Sequence, residues 1–207
     1  MSDGRIRLLL ADDQALVRGA IASLLDLEPD LEVVAQVGRG DEVLEAARAS
    51  AADVAILDVE MPGLDGIGAA RLLRTQLPSC HAIIVTTFGR PGYVRLALEA
   101  GALGFVVKDT PSHQLADAVR KVAAGQRVVD PALAAESLAA GPSPLSTRET
   151  DVLISLREGN SATEVAGQLH LSEGTVRNHL SSAIGKTNAR NGQEAARIAA
   201  ENGWLLG

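Results

Sequence analysis

Five polar residues of types that can transfer a phosphoryl group lie at the ends of short apolar runs in the first half of the chain. Asp12 and Asp13 follow one run, Asp58 follows another, and Thr86 and Lys108 stand at the ends of two more. Carboxylates at close range repel one another, so a cluster of three needs a cation. An all-oxygen site open to water suits Mg²⁺. A carboxylate nucleophile beside a metal, a hydroxyl and a lysine predicts a site for phosphoryl transfer.

Strand and helix patterns alternate through the first 125 residues, and this alternation is what could bring the five groups together. Apolar runs bounded by Gly, Pro or Asp predict buried strands. They cover Ile6–Ala11, Leu31–Val37, Asp53–Leu57, Ala82–Thr87 and Leu103–Val107. Helical spacing predicts a first helix with Val17, Ile21, Leu24 and Leu25 on one inward face, and further helices over 41–50, 65–76, 91–100 and 112–124.

This alternation indicates an α/β fold, a doubly wound parallel sheet with helices on both faces. In a sheet of strand order 2-1-3-4-5, the first and third strands are neighbours, and ligands bind beyond the carboxyl ends of the strands. The three carboxylates would then converge. Taken singly, each residue has an ordinary explanation, since Asp often caps a turn and Lys is usually a solvated charge. The joint placement at one edge favours a functional site.

The motifs around these residues resemble those of a CheY-type receiver domain. They are Ala11-Asp12-Asp13-Gln14, Leu57-Asp58-Val59-Glu60-Met61-Pro62-Gly63, Val85-Thr86-Thr87 and Phe105-Val106-Val107-Lys108. The resemblance implies a CheY-like five-stranded sheet, with Asp58 as the phosphoacceptor and Mg²⁺ as the cofactor. It implies that Asp13, Asp58 and the backbone carbonyl of Glu60 hold the Mg²⁺ directly and that Asp12 holds it through a water molecule. It also implies that Thr86 bonds a phosphoryl oxygen and that Phe105 is the aromatic that turns inward on activation.

The strand signal disappears after Gly125, and the rest of the chain is patterned for helices. A stretch rich in Ala, Pro, Ser and Gly predicts a linker over 126–144, with a possible helix at 132–140. Ser146 followed by Glu149 is a capping box that begins a helix. Three more helices are predicted at Ser161–Gln168, from Ser172 to about Thr187, and from Gln193 to about Asn202. The domains are therefore predicted as 1–125 and a small all-α four-helix unit over 145–207, with the linker between them.

The second unit resembles the LuxR-type helix-turn-helix domain. The resemblance lies in Leu145-Ser146-Thr147-Arg148-Glu149, Glu158-Gly159, Glu164-Val165-Ala166 and Ser172-Glu173-Gly174-Thr175-Val176-Arg177-Asn178-His179. Together the two halves are similar to a NarL/FixJ-type two-component response regulator. The resemblance implies a sensor histidine kinase as a partner, a homodimer on activation, and binding of double-stranded DNA at an inverted-repeat promoter site to regulate transcription.

The helix beginning after Ser172 has the two faces that DNA recognition needs. Val176, Leu180 and Ile184 share one side and should pack inward. On the opposite side Arg177 and Asn178 can read base edges, because Arg pairs with guanine and Asn with adenine. Phosphate or secondary contacts are predicted for Thr175, Ser181 and Lys186. The ordinary alternative for this polar face is plain solvation.

Charge limits the DNA-binding interpretation. The whole chain carries a net charge of −7, and residues 145–207 hold 6 basic and 7 acidic side chains. Because affinity for the DNA backbone grows with the number of neutralised phosphates, a single domain should bind weakly and a dimer would double the contacts. One alternative is therefore a regulator that acts by protein–protein contact, with weak or no DNA binding. Another is an aspartyl-phosphate phosphatase of the haloacid-dehalogenase type, which Asp58-Val59-Glu60 resembles only loosely.

The composition excludes several other classes. A single Cys and four scattered His argue against disulfides and a zinc site, and they favour a reduced, cytoplasmic protein. No apolar run approaches the ~20 residues of a membrane span, so no membrane partner is expected. The chain is not expected to be an enzyme acting on an external substrate. A receiver would assist only its own Mg²⁺-dependent phosphoryl transfer and autodephosphorylation.

Overall fold

The computed structural model describes residues 4–87, 91–131, 133–135 and 143–205. Two compact units are present, one built mainly on residues before 135 and the other on later residues. None of the helices in these ranges is long and apolar enough to cross a bilayer.

The first unit is a parallel sheet whose successive strands are joined by helices. Its strands are β1 (Ile6–Ala11), β2 (Leu31–Val37), β3 (Val54–Leu57), β4 (His81–Thr86), β5 (Gly104–Val107) and β6 (Val128–Val129). They are hydrogen-bonded in the order β2-β1-β3-β4-β5-β6. The helices are α1 (Ala15–Leu25), α2 (Val43–Ala49), α3 (Gly66–Gln76), α4 (Pro91–Ala100) and α5 (Ser112–Ala123), with a 3₁₀ turn at Gly40–Glu42. The predicted fold class is confirmed.

Two details of the predicted sheet unit are corrected by the structure. The predicted sheet has five strands, but the structure has six, because Val128 and Val129 form a short strand that pairs in parallel with Gly104 and Phe105. These two valines lie in the predicted linker, and two residues are too few to form a recognisable strand pattern. The inward face of α1 is also different, since Leu24 is 47% exposed while Ala22 and Leu25 are buried.

The register of the central strands places the candidate site. β1 and β3 are neighbours, and Ala11 pairs with Leu57. All four residues of β3 are buried, as expected for a strand covered on both faces. The next residues in each chain segment, Asp12 and Asp58, therefore leave adjacent strands side by side at the carboxyl edge of the sheet.

The second unit contains the four predicted helices. They are α6 (Thr147–Arg157), α7 (Ala162–Leu169), α8 (Glu173–Thr187) and α9 (Gly192–Glu201). Capping boxes begin α6 at Ser146 and α7 at Ser161, each closed by the Glu three residues later. Five of the nine residues of the possible helix at 132–140 lie in the stretch 136–140, outside the described residues, as does residue 132.

Helix α8 is held by two small apolar clusters. Val176 is fully buried with Val152, Val165 and Ala166 from α6 and α7. Ala183 is fully buried in the second cluster, whose other members come from α6, α9 and the C-terminal turn. The predicted inward side of α8 is confirmed, because Leu180 and Ile184 pack against these clusters. The polar side of α8 is thereby turned outward.

Candidate phosphoryl-transfer site and nucleic-acid interface

Three carboxylates meet at the carboxyl edge of the sheet. Asp12, Asp13 and Asp58 each offer one oxygen, and these oxygens lie within 4.8 Å of one another. Asp12 and Asp58 are only 4% and 6% exposed, while Asp13 is open to solvent. Hard oxygen donors at this separation, with one side open to water, fit a divalent cation such as Mg²⁺. The geometry brings together the acidic residues that the sequence predicts for one site.

Lys108 completes the cluster from the end of β5. Its Nζ lies 2.7 Å from Asp12 Oδ2 and 3.0 Å from Asp58 Oδ2. Burial alone would lower the pKa of Lys108, but the two adjacent carboxylates outweigh burial, and the pKa lies above its ordinary value. Lys108 is therefore an ammonium group shared between two buried acids.

Asp58 is buried and held in one orientation by its neighbours. Burial raises the pKa of Asp58 above its ordinary value, although Lys108 acts in the opposite direction. Its Oδ1 accepts a hydrogen bond from the backbone N–H of Val59 at 2.8 Å, so Oδ2 is left facing Lys108. Asp12 is oriented in the same way, with Oδ1 accepting from the Gln14 N–H at 2.9 Å. A poorly solvated carboxylate held in one orientation is suited to act as a nucleophile.

The other predicted residues of this site lie at the same edge or on the strands that form it. Thr86 is 5% exposed, and its carbonyl accepts a hydrogen bond from the Lys108 N–H at 2.7 Å. Phe105 is buried in β5, at 2% exposure. Glu60 is exposed in the loop that follows Asp58. Their roles in metal binding and switching stay predictions.

Two residues that support the site were missed by the sequence interpretation. A Cβ on Gly66 would lie 1.9 Å from the Asp58 carbonyl oxygen, so the start of α3 can close on Asp58 only with glycine there. The Asp65-Gly66 pair was a usable signal, since Asp65 caps α3 by accepting from the Gly68 N–H at 2.6 Å. Arg18, in α1, donates a hydrogen bond to the Asp12 carbonyl. Nothing in the spacing of the chain indicated that contact.

The predicted DNA-reading side of α8 faces solvent. Ser172 caps the helix by accepting from the Thr175 N–H at 3.1 Å, and the two hydroxyl groups lie 2.9 Å apart. Arg177, Asn178 and Ser181 are all exposed. The amides of this first turn are the type of group that binds a phosphate. The arrangement can present these side chains to the edges of bases, and their contacts with DNA stay a prediction.

Lys186, the last of the predicted DNA contacts, is held by a buried acid. Its Nζ lies 2.7 Å from Oε2 of Glu149, and Ser182 donates to Oε1 at 2.7 Å. Burial alone would raise the pKa of Glu149, which is 4% exposed, but Lys186, Ser182 and Ser146 lower it to about 2. The sequence interpretation assigned Glu149 only to a capping box and missed this second role.

The sequence matches two family models, one for each unit. Residues 8–120 match the model described as response regulator receiver domain. Residues 143–199 match the model described as bacterial regulatory proteins, luxR family. The two matches fall on the sheet unit with the acidic cluster and on the helical unit with α8.

Curated relatives and solved structures match nearly the whole chain. The transcriptional regulatory protein YvfU of Bacillus subtilis (strain 168) is 43% identical over 200 residues, covering 97% of this chain and all of the relative. The transcriptional regulatory protein DesR of the same organism is 40% identical over 200 residues, covering 97% of this chain and 99% of the relative. The crystal structure of ChrA, a response regulator of a heme-sensing two-component system, is 33% identical with a TM-score of 0.59, covering 98% of this chain and all of that one.

Proposed function

Because the chain belongs to the two-component response regulators that join a receiver domain to a LuxR-type DNA-binding domain, we propose that phosphorylation of Asp58 by a sensor histidine kinase switches its dimerisation and DNA binding. The observation that carries this proposal is the acidic cluster, in which three carboxylates and Lys108 meet at one edge of the sheet. The two matched modules make the chain a regulator of transcription, not an enzyme that acts on an external substrate.

In the proposed transfer, an oxygen of Asp58 attacks the phosphorus of a phosphohistidine on the kinase. The new O–P bond forms as the P–N bond breaks, and the imidazole nitrogen leaves with its electron pair. A Mg²⁺ held by Asp13, Asp58 and the Glu60 carbonyl, and by Asp12 through a water molecule, would neutralise charge on the carboxylates and the incoming phosphoryl oxygens. Lys108, already between Asp12 and Asp58, exchanges a carboxylate contact for a phosphoryl oxygen. Hydrolysis of the same acyl phosphate would return the receiver to its starting state.

The switch itself depends on residues beside Asp58. Thr86 lies next to Lys108 at the edge of the sheet, so its hydroxyl can bond a phosphoryl oxygen once Asp58 is modified. Phe105, on the neighbouring strand, is the residue whose ring would change position with Thr86. A shift of these two side chains would alter the receiver surface and so bias dimerisation.

DNA binding is assigned to α8. Arg177 and Asn178 are proposed to contact base edges, with Thr175 and Ser181 as phosphate or secondary contacts. The sequence predicts the same role for Lys186, whose Nζ lies 2.7 Å from the buried Glu149. A homodimer would place two copies of α8 on an inverted repeat of double-stranded DNA. A regulator of this bacterial family that binds promoter DNA would act in the cytoplasm.

The test compares DNA affinity and dimer formation of full-length wild-type protein and Asp58→Ala, each with and without a small phosphodonor and Mg²⁺. Wild type should gain dimer and affinity on phosphorylation, and Asp58→Ala should gain neither. Asp117→Ala is the matched control, because this carboxylate is 63% exposed on α5. An equal gain in Asp58→Ala would overturn the proposal.

A regulator that acts through protein contact is the second candidate, and the charge pairing of the helical unit favours it. Among the cations at 143–205, all but Arg157 are ion-paired with a carboxylate: the pairs are Arg148–Asp151, Arg177–Glu173, Lys186–Glu149, Arg190–Glu194 and Arg197–Glu201. A salt titration of binding to duplex DNA decides between the two candidates. Affinity that falls with salt supports DNA binding, and no binding at any salt concentration supports protein contact.

A further inference from the structure

Helix α8 carries two cations. One is paired with a solvent-exposed carboxylate and the other with a buried carboxylate. Arg177 pairs with Glu173 near the N-terminus of the helix, and Lys186 pairs with Glu149 from α6. Binding to the DNA backbone requires cations that can leave such partners for phosphates. The positive charge that α8 contributes to DNA binding therefore depends on which of the two cations can exchange its carboxylate for a phosphate.

The Arg177–Glu173 pair is exposed and exchangeable. Arg177 Nη2 lies 2.9 Å from Glu173 Oε2, and the two side chains are 69% and 43% exposed. Pairs of this kind, four residues apart on a helix surface, are weak and screened by salt. A DNA phosphate could take the place of the carboxylate as the partner of Arg177.

Glu173 also lies at the N-terminus of α8. It is the first residue of α8, and its Oε1 accepts a hydrogen bond from Thr163 Oγ1 of α7 at 2.8 Å. The N-terminus of a helix attracts anions, through its free amides and the positive end of the helix dipole. A carboxylate held at this point by the hydrogen bond from Thr163 would repel an incoming phosphate.

The Lys186–Glu149 pair, unlike the Arg177–Glu173 pair, includes a buried carboxylate and does not exchange readily. Glu149 is buried, and it accepts from Lys186, from Ser182 and from the backbone N–H of Ser146, each at 2.7 Å. Moving Lys186 to a phosphate would leave a buried carboxylate without its cation, which is strongly unfavourable. Lys186 is therefore tied to the interior of the domain.

We propose that Glu173 restrains DNA binding by occupying Arg177 and the phosphate position at the start of α8, while Lys186 stays on Glu149 and positions the helix without contacting DNA. This inference rests on the proposed DNA binding and makes it more specific. Arg177 becomes the cation that α8 delivers to DNA, and Glu173 becomes the residue that limits affinity. For Arg177 it replaces the proposed base contact with a phosphate contact, and for Lys186 it removes the phosphate contact that the sequence predicts.

The experiment measures binding of the full-length protein to a fluorescein-labelled duplex of mixed sequence, about 30 base pairs or roughly three helical turns long. Anisotropy titrations over a range of salt concentrations give the affinity and its salt dependence. Glu173→Gln should bind about 3–10-fold more tightly at low salt, with a gain that shrinks as salt rises. Glu201→Gln is the matched control, because it removes the same charge from a pair of the same spacing on α9.

The cation variants test the other half of the proposal. Arg177→Gln should flatten the plot of log affinity against log salt by about 0.9, the loss of one phosphate contact. Lys186→Met should leave that slope unchanged. Since Lys186→Met leaves Glu149 buried without its cation, the double variant Glu149→Gln/Lys186→Met, which removes both charges, is measured beside it.

Three results would overturn the proposal: Glu173→Gln that binds no more tightly than wild type, a gain in Glu201→Gln equal to that in Glu173→Gln, or a slope reduced by about 0.9 in the double variant. If wild type binds and one of these results is found, only this proposal fails. If neither wild type nor Glu173→Gln binds the duplex, DNA binding itself is contradicted and the proposal falls with it.

Discussion

At the scale of single residues, the acidic site is a group of negatively charged side chains whose mutual repulsion is partly offset by one lysine, Lys108. Three carboxylates and one ammonium leave a net negative charge in a largely buried place. The raised pKa of Asp58 shows that its ionised form is disfavoured by burial. The buried charge therefore lowers the stability of the fold, but it allows the site to bind a cation and accept a phosphoryl group.

Replacing Asp58 with Asn tests whether the buried charge lowers stability and whether it helps to bind Mg²⁺. Because Asn removes a buried negative charge, the free energy of unfolding of the metal-free protein should rise by on the order of 1 kcal/mol. Added Mg²⁺ should stabilise wild type and have a much smaller effect on Asp58→Asn. Urea unfolding with Mg²⁺ and with EDTA measures both differences, and equal Mg²⁺ responses in the two proteins would argue against a metal site that includes Asp58.

At the scale of elements, Glu149 joins helices α6 and α8. It closes the capping box of α6 and binds Lys186 and Ser182 of α8. Small residues make up much of the neighbouring core, where Ala183, Ala195 and Ala199 are fully buried. Small side chains bury little area, so a buried ion pair carries a larger share of the orientation of α8.

Glu149→Gln should therefore destabilise the helical unit, by about 2 kcal/mol at neutral pH. The pKa of Glu149 is lowered from 4.5 to about 2 in the folded protein. Its contribution is therefore full above the unfolded value and is lost as the pH falls towards 2. Urea unfolding over this acidic range should show a steeper loss of stability in wild type than in Glu149→Gln. Parallel pH profiles for the two proteins would contradict the assignment.

At the scale of the whole molecule, the chain combines a unit that can be phosphorylated with a unit that can bind DNA but carries little free positive charge. The net charge of −7 opposes binding to a polyanion, and most cations of the helical unit are already paired. A dimer that doubles the contacts would convert a weak single-site interaction into a useful one. Phosphorylation and DNA affinity are thus expected to be coupled through dimerisation.

Much of this architecture could be predicted from the sequence because strong periodic patterns position it. β1 and β2 were predicted with the bounds that the structure shows, since their apolar runs are bounded by polar residues and turns. The three acids were predicted to converge because parallel strands end at one edge. The start of α6 could be predicted from the three-residue spacing of Ser146 and Glu149, which is that of a capping box.

What could not be predicted depends on contacts that residue spacing along the chain does not indicate. β6 has only two residues, so its pairing with β5 is invisible to periodicity. The Glu149–Lys186 pair spans 37 positions, and the Arg18 contact with the Asp12 carbonyl needs the actual path of α1. Leu24 was placed inside because helical spacing shows a face but not how far the neighbouring elements cover it.

The proposed switch requires the modification of Asp58, and one measurement tests whether that modification occurs. Full-length wild type and Asp58→Asn are treated with a small phosphodonor such as acetyl phosphate, in Mg²⁺ or in EDTA, and analysed by intact and peptide mass spectrometry. We expect a single addition of about 80 Da, the mass of one phosphoryl group, on the peptide containing Asp58, in wild type with Mg²⁺ only. A phosphoryl group on another residue, or labelling that persists in EDTA or in Asp58→Asn, would contradict the account.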